Sequence, residues 1–224
     1  MNVAIMQPYF FPYLGYFELM KEADVFVIFS EVQYIRRGWI NRNRIRSKDK
    51  EFQFLTVPVM KSKQDTTINS MRIHESNWHL DHLKTISTTY PNSIKTETYK
   101  RYSKLPTSGM LVPFLMETLA MSQDWLGCKT PMISSEDFPC LNRGENRPTN
   151  RIIDICLQLG ASTYLNLPGG VNLYSADVFK QHGLNLKFIE PKCENKLSIL
   201  DSIFDPSQTA LLEPSVAKES IATM

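Results

Sequence analysis

Residues 2–29, NVAIMQPYFFPYLGYFELMKEADVFVIF, decide the fold class. Val3 to Met6 is a short apolar run, and Asp24 opens a second, Val25 to Phe29. Between them Leu14, Phe17, Leu19 and Met20 fit a short helix with one apolar side. Strand, loop, helix and strand at this spacing suit a parallel crossover. The loop is unusual, because Gln7 to Tyr13 holds four rings (Tyr9, Phe10, Phe11 and Tyr13) and two prolines, Pro8 and Pro12. Proline fixes φ, so the turn is stiff. In open α/β sheets ligands bind beyond the carboxyl ends of the strands, which is where this loop falls. The expectation is that Gln7 and the rings wall a pocket, with Gly15 allowing close backbone approach. The alternative is that the rings only cover one end of the sheet.

The rest of the chain continues the alternation. Phe54 to Val59 reads as a strand stopped by Pro58. Roughly 77–124 is helical in pattern, broken by Pro91, Pro106 and Pro113. Thr149 is placed to cap a helix in which Ile152, Ile155, Cys156 and Leu159 share a face, and Gly160 stands where a left-handed cap belongs. Thr163 to Leu167 is a strand, Pro168-Gly169-Gly170 a loop, and Ser175 starts a helix that Gly183 ends before a strand from Leu184 to Ile189. These elements predict an α/β layered fold: a mostly parallel sheet, flanking helices and a helical middle segment. One domain is expected over 1–204, followed by a small, polar tail over 205–224.

Composition bounds the function classes. With 42% apolar and 21% charged residues, the 224-residue chain has the makings of an ordinary globular core. No stretch approaches the ~20 apolar residues of a membrane span, and Gln7, Pro8 and Pro12 interrupt any signal-peptide core. Cys128, Cys140, Cys156 and Cys193 lie far apart without a C-x-x-C, the pattern of reduced thiols in a cytoplasmic protein rather than of a zinc site. Net charge is only +2, so any electrostatic partner must be recognised locally. No G-x-G-x-x-G, Walker loop, G-x-S-x-G or D-x-D is present.

Local charge is concentrated in YIRRGWINRNRIRSK, Tyr34 to Lys48. Here Arg36, Arg37, Arg42, Arg44 and Arg46 fall within eleven residues and no acid intervenes. If Asn41 to Arg46 is extended, Arg42, Arg44 and Arg46 point one way and Asn41, Asn43 and Ile45 the other. Guanidinium forks bind phosphates, and Tyr34 and Trp39 offer rings for stacking on a base or sugar. A solvated basic edge strand is the plainer alternative. His79 and His82, three apart on an expected helix, share a face and are candidates for a general base; no metal is expected there, for want of a third ligand. Asn142, Arg143, Glu145, Asn146, Arg147 and Arg151 gather around a helix start, where anions are attracted.

MQPYFFPYLGYFELM, ADVFVIFSEVQY, GWINRNRI, LTVPV, RIIDICLQLGASTYL and LSILD, in this order, resemble the WbqC-like family of bacterial proteins over nearly the whole chain. Many members are encoded among genes for O-antigen and other surface polysaccharides, which implies work on a nucleotide-linked sugar, often an amino sugar. Some are named as glycine or aminoacyl transferases. Ser30-Glu31 and Asn166-Leu167 depart from the family's usual acidic pair and Ser-Gly, and the stretch before LSILD is shortened. The opening unit also echoes nucleotide-binding enzymes that adenylate carboxylates. Pro12 to Tyr16 keeps their glycine and lacks both of their histidines, which argues against that route.

The resemblance thus implies acyl or aminoacyl transfer to the amine of a nucleotide-linked amino sugar. A base drawn from His79, His82 or Glu31 would keep the amine neutral. Asn41 and Asn43 would serve as oxyanion donors. Arg42, with Trp39 beside it, would hold the diphosphate. An aminoacyl-tRNA donor would bind the same basic stripe and exposed rings. No cofactor is implied. A non-catalytic sugar-nucleotide-binding or scaffold protein of polysaccharide assembly, or a nucleotidyl or sugar-modifying enzyme, are the alternatives.

Overall fold

The computed structural model describes residues 1–140 and 147–205. The expected crossover is present as β1 (Asn2–Met6), α1 (Leu14–Glu22) and β2 (Val25–Ile28), with β1 and β2 parallel from Val3↔Val25 to Met6↔Ile28. After β2 the chain makes a long excursion. It contains an antiparallel ribbon, β3 (Arg42–Ile45) and β4 (Gln53–Thr56), then β5 (Arg72–Ile73), α2 (Trp78–Thr89), α3 (Glu97–Tyr102), β6 (Gly109–Met110) and α4 (Leu111–Leu126). β7 (Met132–Ser134) returns to the sheet, and α5 (Arg147–Gln158), β8 (Thr163–Asn166), α6 (Ala176–Gln181), β9 (Asn185–Phe188) and α7 (Ile199–Phe204) complete the order.

The sheet runs β7-β2-β1-β8-β9 and every pairing is parallel. Sequence pattern predicted four of these strands. It missed β7, whose three residues are too short to show a period. The strand order reverses direction at β1. Right-handed crossovers made in opposite directions put their helices on opposite faces. Accordingly Ala4, Phe26, Ile28 and Leu165 pack with α1 on one face, while Val3, Ile5, Val27 and Tyr164 pack with α5 and with Phe179 of α6 on the other. The β2-to-β7 excursion adds its apolar side chains to the α1 face, among them Leu55, Trp78, Tyr102 and Phe114.

Two local expectations change. Pro113 does not break the helical segment: it lies in the first turn of α4, where backbone N–H groups lack helical partners anyway. Thr149 is not a cap, because α5 already begins at Arg147. Gly160, at φ +65°, does take the left-handed conformation after α5. The expected polar tail lies, from residue 206, outside the described residues.

The aromatic loop is built differently from a simple wall. Phe10 and Phe11 are both 0% exposed. Phe10 stacks near Phe114 with ring centroids 5.9 Å apart, and Phe11 near Tyr102 at 5.6 Å. Two consecutive side chains enter one core because Phe11 adopts φ +39°, a left-handed conformation unfavourable for a bulky residue. Hydrogen bonds hold it there. The Asn43 side-chain amide donates to the carbonyls of Phe10 (3.2 Å) and Phe11 (2.8 Å), Ser198 Oγ donates to Phe11 (2.7 Å), and the Ile199 N–H donates to Pro12 (2.9 Å).

His79 and His82 share one side of α2, as their spacing required, but that side faces the core. The Thr56 carbonyl can only accept, so His82 donates from Nε2 (3.1 Å); its Nδ1 then accepts from the Tyr102 hydroxyl (2.7 Å). His79 Nε2 donates to the Tyr102 carbonyl at 3.0 Å. The expectation that one of the pair borders a pocket as a base is therefore corrected: both ring nitrogens of His82 are hydrogen-bonded inside the protein, both histidines are buried beside Trp78 and Tyr102, and neither lines a pocket among the described residues.

Two outcomes follow. Asn43→Ala removes two hydrogen bonds to buried carbonyls and should destabilise the protein by roughly 1–3 kcal/mol in urea unfolding, and isosteric Asn43→Asp, which has no N–H to donate, should lose at least as much. Burial, reinforced by neighbouring His79, lowers the His82 pKa to about 4. The unfolded chain then binds a proton near pH 6.5 that the native state refuses, so stability is complete above that pH and declines toward pH 4, by up to about 3 kcal/mol. Unfolding measured at pH 7.5 and 4.5 should show this decline shrinking in His82→Gln.

Candidate functional site

The order reversal creates a crevice beyond the carboxyl ends of β1 and β8, the usual place for a ligand in an open α/β sheet. A pocket of about 210 Å³ lies on the β1 side of it. Tyr9, Pro12 and Tyr13 supply one wall, Trp39, Asn43 and Arg44 another, and Lys196 closes the rim. A larger cavity, about 320 Å³, sits against the β5–β6 ribbon between Met60, Arg72 and Glu75. It is away from the ends of the central strands and lacks the tyrosine and tryptophan rings of the smaller pocket, which is the candidate site.

The loop conformation sets the wall. With Phe10 and Phe11 turned inward, Tyr9 and Tyr13 on either side of them are left to face the pocket. Burial raises the pKa of the Tyr9 hydroxyl, with Tyr13 and Tyr174 as further neighbours, so it remains a proton donor. Tyr174 lies in the loop after β8 and brings that side of the crevice to Tyr9. Gln7 is half-buried at the end of β1; its carbonyl accepts from the Tyr16 hydroxyl at 3.0 Å, and it is absent from the pocket lining. Gly15 serves packing rather than ligand approach, since a Cβ there would meet the Tyr13 ring and lie 2.8 Å from Pro191 Cβ.

The arginine run alternates along β3 as expected, and its three outward members have three different fates. Arg42 folds back: Nε donates to Gly38 (3.2 Å), Nη2 to the Arg37 carbonyl, and the guanidinium lies 4.3 Å from the Phe54 ring centroid. It therefore holds the 37–38 turn, in which Arg37 takes φ +61°, and does not reach the pocket. Arg46 pairs with Asp201 (2.9 Å) and Asp205 (2.6 Å), tying β3 to α7. Arg44 reaches the pocket, its guanidinium carbon 5.0 Å from the Trp39 centroid and 4.9 Å from that of Phe52. Its Nε is enclosed and has no hydrogen-bond acceptor among the described residues.

The inward side chains are structural. Asn41 accepts from the Tyr34 hydroxyl and donates to the Val57 carbonyl, both at 2.7 Å, and it is buried and absent from the pocket lining, so its amide does not reach an oxyanion there. Asn43 borders the pocket, but its N–H groups hold Phe10 and Phe11. Trp39, 41% exposed, is on the pocket wall as a ring for stacking.

Glu31 stands just beyond β2, where Arg151 of α5 donates to its Oε2 from Nε (3.1 Å) and Nη2 (3.0 Å). Arg151 also holds the carbonyls of Ser135, Phe138 and Pro139, so it positions Glu31 against the end of β7. Next to this pair Ser30 donates to Glu136 at 2.8 Å. Asn142, Arg143, Glu145, Asn146 and the Arg147 side chain, expected at the same helix start, lie outside the described residues. Lys196, whose Nζ is 4.8 Å from the Tyr13 centroid, carried no signal in the sequence: it joins the pocket only because α7 docks on the aromatic loop.

Among the described residues no helix is long and apolar enough to cross a membrane. No solved structure matches the chain. A Mycobacterium tuberculosis (strain ATCC 25618 / H37Rv) protein, named "Uncharacterized protein Rv1507c", is 26% identical over 202 residues, which cover 84% of this chain and 82% of the relative. The model of the WbqC-like protein family matches residues 7–211, from the aromatic loop past α7. The chain therefore belongs to the WbqC-like protein family.

Proposed function

We propose that the pocket binds a nucleotide-linked amino sugar and that the protein transfers an acyl or aminoacyl group, such as glycyl, to the sugar amine in bacterial surface-polysaccharide synthesis. One observation carries the binding half: Arg44 and Lys196, a fork and a point charge, border a pocket walled by Tyr9, Tyr13 and Trp39. Cations answer a diphosphate and rings answer a base or sugar face. Among the described residues Arg44 makes no ion pair although its side chain reaches the pocket, which favours an anionic ligand as the reason for Arg44. The pocket is of a size for part of such a ligand, with the remainder extending into the crevice toward Tyr174.

In the transfer the amine nitrogen attacks the acyl carbonyl and loses a proton, and the donor's leaving oxygen gains one. With both histidines locked in the core, Glu31 is the remaining candidate base, held by Arg151 at the carboxyl end of the sheet. The family resemblance supports the transfer chemistry. A second reading, binding without turnover as a scaffold, draws on the same corrections: four of the five polar groups expected to do chemistry are engaged in structural hydrogen bonds, namely His79, His82, Asn41 and Asn43.

Calorimetry with amino-sugar nucleotides tests the binding. Arg44→Lys keeps the charge and loses the fork, so affinity should fall by roughly 1–3 kcal/mol, about 5- to 150-fold. Equal affinity for wild type and variant sinks the site. Mass spectrometry of the sugar nucleotide after incubation with aminoacyl donors separates enzyme from scaffold. Turnover should fall by about 10²-fold or more in Glu31→Gln with binding retained; no mass gain with any donor favours the scaffold.

A further inference from the structure

The outer face of the β3–β4 ribbon holds a ladder of cations and rings that extends beyond the pocket and shares Arg44 and Trp39 with it. In the antiparallel register Arg44 faces Phe54 and Arg42 faces Thr56. Each guanidinium then leans diagonally onto a ring, Arg42 onto Phe54 and Arg44 onto Phe52. Trp39 lies beside Phe54 with centroids 6.3 Å apart, and Phe52 meets Phe54 edge-on at 5.5 Å. Trp39 and Phe54 are 41% and 39% exposed.

Among the described residues Arg36, Arg37, Arg42 and Arg44 make no ion pair. Arg36, Arg42 and Arg44 are instead anchored to neutral carbonyls, of Ser62, Gly38 and Lys196. Their direction is fixed while their positive charge remains. A surface of fixed cations and exposed rings answers a polyanion whose units each carry a phosphate and a π-face. Alternate residues on one face of a strand are ~6.8 Å apart, close to the phosphate step of an extended single strand. A duplex presents phosphates but keeps its base faces stacked, so the rings favour a single strand.

We propose that the β3–β4 face docks a single strand of RNA, with its end at the pocket that Arg44 and Trp39 share with the ladder. Docking stands on the ribbon alone. That the strand is RNA, because it carries the acyl group as an ester on its terminal ribose, rests on the proposed function. In that step the sugar amine attacks the ester carbonyl, a C–N bond forms, the C–O bond to the ribose breaks, and the amine proton goes to the ribose oxygen. The products are an amide and a free terminal hydroxyl.

Fluorescence anisotropy with the full chain and a labelled eight-nucleotide single-stranded RNA tests the docking. Binding should weaken with salt at a log–log slope of about −2, for three phosphates each contributing ~0.7. Phe54→Ala should weaken it roughly 5- to 100-fold, the effect of one lost stacking ring. Phe54→Leu, which keeps apolar bulk for folding, should give a similar loss, and both variants should bind sugar nucleotide as wild type does. No binding at low salt, or equal binding by wild type and both variants, overturns the docking surface. Tighter binding of duplex RNA overturns the single-strand assignment, and equal binding of the same sequence as DNA overturns the choice of RNA. RNA binding without sugar-nucleotide binding would leave this surface standing and remove the proposed function.

Discussion

The side-chain amide of Asn43 on the carbonyls of Phe10 and Phe11 is the contact on which the rest of this structure depends. It holds Phe11 in a left-handed conformation that a phenylalanine would not keep on its own. That conformation drives two neighbouring rings into the core and leaves Tyr9 and Tyr13 outside. It also joins the β3–β4 ribbon to the carboxyl end of β1, so the Arg44 side chain arrives beside the tyrosines. Ser198 and Ile199 complete the clamp from α7 and bring Lys196 with them. One buried amide thus couples the stability of the core to the shape of the pocket.

The same polar side chains cannot serve both purposes. Asn41, Asn43, His79 and His82 are attractive as chemistry because they are donors and acceptors of neutral charge. They are suited to a buried role for the same reason: each can satisfy backbone or tyrosine groups without the desolvation penalty of an ion. The long excursion after β2 needs such groups, since its short strands and helices leave many backbone carbonyls to be paired inside the core. Charged side chains take the opposite position. Arg44, Lys196 and Glu31 sit at margins where water or a ligand can share their solvation. Where an ion is drawn inward, as Asp201 is, Arg46 and the Tyr90 hydroxyl surround it.

Arg44 is where the two surfaces meet. Its guanidinium is both the last rung of the ribbon's ladder and the first cation of the pocket. Arg42, the first arginine of β3, instead holds the turn that presents Trp39. Equal residue types along one strand therefore divide into a buttress, a pocket-facing group and a tie to α7.

By itself the sequence determined the opening crossover, the inward and outward sets of β3, the helix pair that ends near Gly160 and Gly183, and the location of the aromatic loop beyond a strand. Each follows from local periodicity or from φ restrictions that proline and glycine carry with them. Only the tertiary structure decided which rings of the loop face the pocket, because the left-handed Phe11 breaks strand alternation and is held by Asn43 and Ser198, which lie 32 and 187 residues away. Only it decided which arginine reaches the pocket, that Lys196 stands opposite, and that the histidine face of α2 is a core face. Those outcomes depend on which distant surface each side chain meets, and a helix face of two histidines and one tryptophan reads the same from within its own segment whether it meets water, substrate or Tyr102.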